Sequence, residues 1–96
     1  METIKFEWDE SKNQINKKKH NISFEEAATV FYDETAILFD DPEHSEIEER
    51  FLIIGMTYTE KLCIVSHCYR DINGTIRIIS ARKATKTEQL IYMEGN

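Results

Sequence analysis

The 96 residues contain only two cysteines, no internal repeat, and no apolar run near the ~20 residues a membrane-spanning helix needs. Each shortage excludes a class of protein. Cys63 and Cys68 are an odd number of residues apart, which sets them on opposite faces of a strand and argues against a mutual disulfide. Buried free thiols are expected instead, and a thiol nucleophile is not. The opening residues, Met1-Glu2-Thr3-Ile4-Lys5-Phe6-Glu7-Trp8, lack the apolar segment of a secretory leader. No membrane association is expected, and the location is expected to be cytoplasmic. Linkers and low-complexity stretches are missing too, so residues 1–96 should form a single domain. At 41% hydrophobic and 10% aromatic residues, the chain can build a modest core.

An excess of positive charge is also lacking. Twelve Lys and Arg stand against eighteen Asp and Glu, a formal net charge of −6, whereas nucleic-acid binders usually present a basic face. The distribution matters more than the total. Residues 33–49 hold eight acids and no Lys or Arg, while residues 61–87 hold six bases against one acid, Asp71. A second basic cluster is Lys17-Lys18-Lys19-His20. The chain is electrostatically divided, which leaves room for a local phosphate site. Asp40, Asp41, Glu43, His44 and Glu46 offer oxygen and nitrogen ligands, but their spacing matches neither an EF-hand loop nor a zinc pattern. No metal site and no cofactor are expected.

Local patterns predict the elements. Asp9 reads as the N-cap of a helix over residues 10–20 that ends near Asn21. Ser23-x-x-Glu26 reads as a capping box opening a second helix, with Phe24, Ala27, Ala28 and Phe31 at helical spacing. A short strand over 36–40 should stop at Asp41-Pro42, followed by an acidic loop over 43–49. Strands follow over 50–58, 61–70 and 75–82, joined by turns at Thr59-Glu60 and Asn73-Gly74. Thr85-x-x-Glu88 is a second capping box and starts a last short helix. The fold class is α+β: two N-terminal helices, an antiparallel sheet of about four strands, and a short C-terminal helix.

The chemistry concentrates around the last hairpin. A two-residue Asn73-Gly74 turn would set Arg70 opposite Arg77, with His67 near Ser80 and Val65 near Arg82. Facing guanidiniums repel unless a carboxylate or a phosphate sits between them. A four-residue loop, Asp71 to Gly74, would regroup these side chains. In one regular strand Arg77 and Arg82 have opposite parity, so a bulge or the strand's end must re-aim one of them before both can serve one site. The plain alternative is that these arginines are solvated or paired with the acidic loop.

The pattern Phe6-x-Trp8-Asp9-x-x-Lys12-x-x-x-Asn16-x-x-Lys19-His20-x-Ile22-x-Phe24-x-x-Ala27 resembles the opening of the BrnT toxin family. So do Glu49-Arg50 with Ile54-Gly55, and Arg77-Ile78-Ile79-Ser80-Ala81-Arg82-Lys83-Ala84 with Glu88 and Tyr92. The resemblance spans about residues 6–92. It implies a RelE-like fold and a toxin that cleaves RNA and so inhibits translation. It also implies a BrnA-type antitoxin carrying a ribbon-helix-helix domain, with DNA contacted only through that antitoxin, and a homodimer or toxin–antitoxin heterotetramer as the assembly.

RNA can be cleaved without a metal by its own 2′-hydroxyl, given a base, cations around the phosphorane and an acid for the leaving oxygen. Under that reading Arg77 and Arg82 are the catalytic cations, with Arg70 beside them. His20 or Lys19 supplies acid–base chemistry, histidine being the side chain whose charge changes near neutral pH. Glu49 is a base or orients an arginine, Ser80 and Lys83 bind substrate, and Tyr92 stacks on a base. Each has a plain alternative: Lys19-His20 as a solvated helix end, Glu49 as part of the acidic loop, Tyr92 as packing. A catalytically inactive homologue acting as an antitoxin-binding, transcription-regulating module is the competing function.

Overall fold

The computed structural model describes residues 3–41, 43 and 48–95. Pro42, His44 and Glu46, which the sequence reading places in a turn and an acidic loop, lie outside the described residues.

The helices start where short polar side chains satisfy free N–H groups. The Asp9 carboxylate accepts from the Lys12 N–H at 3.2 Å, opening α1 (Glu10–His20), and Asn21, in left-handed backbone with φ 58°, closes it. The Ser23 hydroxyl accepts from the Glu26 N–H, opening α2 (Phe24–Ala28), which tightens into a 3-10 turn over Thr29–Tyr32. Phe31 therefore lies in that turn and not in the helix the spacing predicts. At α3 (Lys86–Glu94) both halves of the capping box form between Thr85 and Glu88.

The sheet has five strands, not about four, and is mixed, not purely antiparallel. They are β1 (Phe6–Glu7), β2 (Ile37–Asp40), β3 (Phe51–Met56), β4 (Leu62–Tyr69) and β5 (Ile76–Lys83), in the order β1-β5-β4-β3-β2. β1 pairs parallel to β5 through Phe6↔Ile76 and Glu7↔Arg77. The sequence marks Phe6-Glu7-Trp8 as a short extended or anchoring segment, but pairing with a strand seventy positions later leaves no local pattern to read.

One face of the sheet packs on α1, α2 and the 3-10 turn. Its core comprises Ile22, Phe24, Ala27, Val30, Ile53, Cys63, Val65, Ile76, Ile78 and Ala81. Cys63 and Cys68 are free, buried and on opposite faces, as their spacing predicts. Burial pushes the Cys63 thiol up to about 11, so at neutral pH it stays protonated and is no nucleophile. Among the described residues no helix is long and apolar enough to cross a membrane.

The last hairpin departs from the two-residue turn. Arg70 N–H donates to the Thr75 carbonyl at 2.9 Å, and Asp71 to Gly74 form a four-residue loop. The Asp71 carboxylate organises it by accepting from the N–H groups of Asn73 and Thr75, and Gly74 takes φ 81°. Arg77 consequently pairs with Cys68 rather than Arg70, His67 with Ile78 rather than Ser80, and Val65 with Ala81 rather than Arg82.

Candidate active site

The decisive feature of β5 is a bulge. Pairing runs Tyr69↔Ile76, Cys68↔Arg77, His67↔Ile78, then skips Ile79 and resumes Ser66↔Ser80, Val65↔Ala81, Ile64↔Arg82. The extra residue reverses the alternation. Arg77, Ser80 and Arg82 now oppose Cys68, Ser66 and Ile64, all even positions of β4 and hence one face, the face away from the helical core. The parity conflict in the sequence is resolved inside the strand.

At one end of this face lies a cleft lined by His20, Arg50, Ser66, Ser80 and Arg82, with the carboxylates Asp41 and Glu43 also on its wall and Leu52 and Ile64 among its apolar residues. His20 reaches it from the last turn of α1, and Arg50 from the residue before β3. A second, more open groove continues from the same His20 and Arg82 along Lys18, Lys19, Lys83 and Thr85. Five cationic or imidazole side chains thus surround Arg82. Arg50 is also within 3.6 Å of the Glu48 carboxylate.

Arg82 is held firmly. Its two terminal nitrogens donate to the two Glu88 oxygens at 2.8 and 2.9 Å, and one also donates to the Lys83 carbonyl at 3.2 Å. This fork uses part of the guanidinium's five N–H groups and leaves the others for an oxyanion. The Arg82 hydrogen bonds hold Glu88 down to about 2, and Glu88 in turn raises Arg82. Glu88 is fixed a second time by the capping box, so the first turn of α3 orients the arginine.

Arg77 and Arg70 occupy the other end of the face. Both reach the Glu7 carboxylate, Arg77 at 2.9 Å and Arg70 at 3.4 Å, so a carboxylate offsets their repulsion. Cys68 and Ile64, their strand partners' positions, are four residues apart, which separates Arg77 from Arg82 by roughly 13 Å along the strand.

The structure therefore gathers His20, Lys19, Ser80, Arg82 and Lys83 in one place. It leaves Arg70 and Arg77 as a pair at a distance, and Glu49 exposed and outside the cleft lining. The Tyr92 hydroxyl donates to Asp33 at 2.7 Å and bonds Thr35 at 2.7 Å, toward the C-terminal end of α3 rather than beside Arg82. Nothing in the sequence marks Ser66 or Glu7 for this face, and Asp41, Arg50 and Glu88 stand out there only as a weighed metal ligand and as residues of the family pattern. The signal for Glu88 was its place in the Thr85 box, six residues beyond Arg82.

The sequence profile of the family described as "Ribonuclease toxin, BrnT, of type II toxin-antitoxin system" matches residues 8–88. The chain belongs to the BrnT family. No curated protein matches the sequence. The structure is similar to the 1.1 Å crystal structure of the Brucella abortus ribonuclease toxin BrnT, with a TM-score of 0.66 and 24% identity over 88% of this chain and 100% of that one. The match to the BrnT family includes every residue of the Arg82 cleft and excludes Glu7 and Tyr92. By the family's description BrnT proteins are ribonuclease toxins, and a type II system pairs such a toxin with an antitoxin.

Proposed function

We propose that this chain is an endoribonuclease toxin that cleaves RNA without a metal ion, inhibits translation, and is neutralised by a BrnA-type antitoxin. The observation that carries the reading is the convergence of His20, Arg50, Ser80 and Arg82 on one cleft beside the Lys19–Lys83 groove. DNA would be reached only through the antitoxin.

Acting as base, His20 takes the proton of a ribose 2′-hydroxyl. That oxygen bonds to the adjacent phosphorus, and the bond from phosphorus to the 5′-oxygen breaks. The departing oxygen takes a proton from Lys19 or solvent, leaving a 2′,3′-cyclic phosphate and a 5′-hydroxyl. The N–H groups of Arg82 not held by Glu88 stabilise the charge that builds on the phosphorane, with Arg50 opposite and Ser80 orienting the phosphate. Arg77 and Arg70 hold a neighbouring phosphate further along the strand, exchanging Glu7 for it.

The test is cleavage of an end-labelled RNA oligonucleotide in excess chelator. Wild type is expected to yield cyclic-phosphate ends, and Arg82→Ala or His20→Ala to lose about 10²-fold in rate, as removal of one transition-state donor or one acid–base group does. Far-UV circular dichroism should be unchanged. RNA left intact by wild type, together with normal growth of cells expressing it, would instead favour an inactive antitoxin-binding module.

A further inference from the structure

Helix α1 has no apolar side to lay on the sheet. Its one apolar residue, Ile15, is 63% exposed, and its buried residues are Asn13 and Asn16. Asparagine is a poor helix former, so two of them at the inward positions three apart carry some other benefit. Asn13 works between the helices: its carbonyl accepts from the Phe24 N–H at 2.7 Å, and its amide donates to Glu25 at 2.8 Å.

Asn16 reaches the sheet. Its carbonyl accepts from the Ala81 N–H at 3.1 Å, and its amide donates to the Ala81 carbonyl at 2.9 Å and to the Ile22 carbonyl at 2.9 Å. One side chain satisfies both backbone groups of a strand residue, as a neighbouring strand would. None is there to do it, because β1 ends at the Glu7↔Arg77 pair. Ala81 sits two residues past the bulge, between Ser80 and Arg82. A slip of one residue beyond Ile79 would restore a regular ladder and turn Arg82 to the core face. With Ala81 anchored and its side chain buried at 1% exposure, Ser80 and Arg82 must face the cleft.

We propose that Asn16 is a positioning residue for Arg82: it locks β5 in the bulged register that puts both arginines on one face. The activity part of this proposal rests on the ribonuclease reading above; the register part does not. The test uses Asn16→Ala in wild-type and Arg82→Ala backgrounds, with RNA cleavage as one readout and cross-strand amide NOEs between β4 and β5 as the other. Asn16→Asp, which keeps the volume and the acceptor for the Ala81 N–H, serves if the alanine variant does not fold.

In the Arg82 background, Asn16→Ala should lower kcat by about 10²-fold, the cost of misplacing a catalytic group, with KM nearly constant. In the Arg82→Ala background the same change should cost far less, the remainder being the part owed to Ser80, which turns with Arg82. The Ser66–Ser80 and Ile64–Arg82 contacts should be lost while Cys68–Arg77 persists. A full loss of rate in both backgrounds, or an intact register in the Asn16 variants, would overturn the proposal. Should wild type cleave no RNA, the ribonuclease reading fails, and the NOE pattern alone still decides the register.

Discussion

At the residue scale the least expected side chain is His67. It is fully buried; its Nδ1–H donates to the Val65 carbonyl at 3.1 Å, and Nε2 meets no polar partner among the described residues. The rings of Phe31, Tyr69 and Phe51 surround it at centroid distances of 4.7, 5.7 and 6.1 Å, Phe31 and Tyr69 edge-on. Burial pushes its pKa below the ordinary 6.5. Between its unfolded and folded values the unfolded chain binds the proton and the folded chain does not, so stability falls as pH drops through 6.5. The slope cannot exceed about 1.4 kcal/mol per pH unit. Urea midpoints at pH 7.5 and pH 5.5 should diverge in wild type and much less in His67→Leu; equal divergence in both would show that His67 is not the responsible group. Glu88 does not interfere in this window, since its depressed value keeps its contribution until pH falls from 4.5 toward about 2.

At the element scale, what was legible was what is local. Asp9, Ser23 and Thr85 each announced a helix start because a cap needs only a side chain and an N–H three residues away. Strands β2 to β5 were legible from their apolar runs. For β1 the sequence shows only a short extended or anchoring segment at Phe6-Glu7-Trp8; its pairing with β5 was not legible, nor was the bulge at Ile79, since both are set by partners far along the chain. The sequence did pose the bulge as a requirement, through the opposite parity of Arg77 and Arg82. The buried asparagines of α1 ran against the usual pattern, and the helix was recognisable only by its ends. Packing of β3 on the 3-10 turn depends on one absent methyl group: a Cβ on Gly55 would come within 2.7 Å of Val30 Cγ1 and 3.1 Å of the Ala36 Cβ. Gly55→Ala should therefore cost about 1–3 kcal/mol, as overpacking does. Denaturant titration measures this, and an unchanged midpoint would mean the turn moves aside freely.

For the whole molecule, the net charge of −6 does not describe the candidate site, where His20, Arg50 and Arg82 line the cleft together with Asp41 and Glu43. The groove that continues from the cleft is more strongly cationic, lined by Lys18, Lys19 and Lys83 from the end of α1 and from β5. Of the residues the sequence offers as candidates, His20, Lys19, Ser80, Arg82 and Lys83 line the cleft and its groove, a grouping that their positions along the chain do not reveal. Arg77 lies apart from Arg82 along the strand, and the Tyr92 hydroxyl bonds Asp33, neither of which is visible in the sequence. The bulged face of β5 carries two arginines, Arg77 and Arg82, and each is expected to meet a phosphate. The direct measurement is the salt dependence of binding to a 2′-O-methyl oligonucleotide, which lacks the nucleophile and stays intact. Arg77→Ala and Arg82→Ala should each reduce the slope of log affinity against log salt by about 0.7, and the double variant by about twice that. Slopes that match wild type in all three variants would mean that neither arginine meets a phosphate.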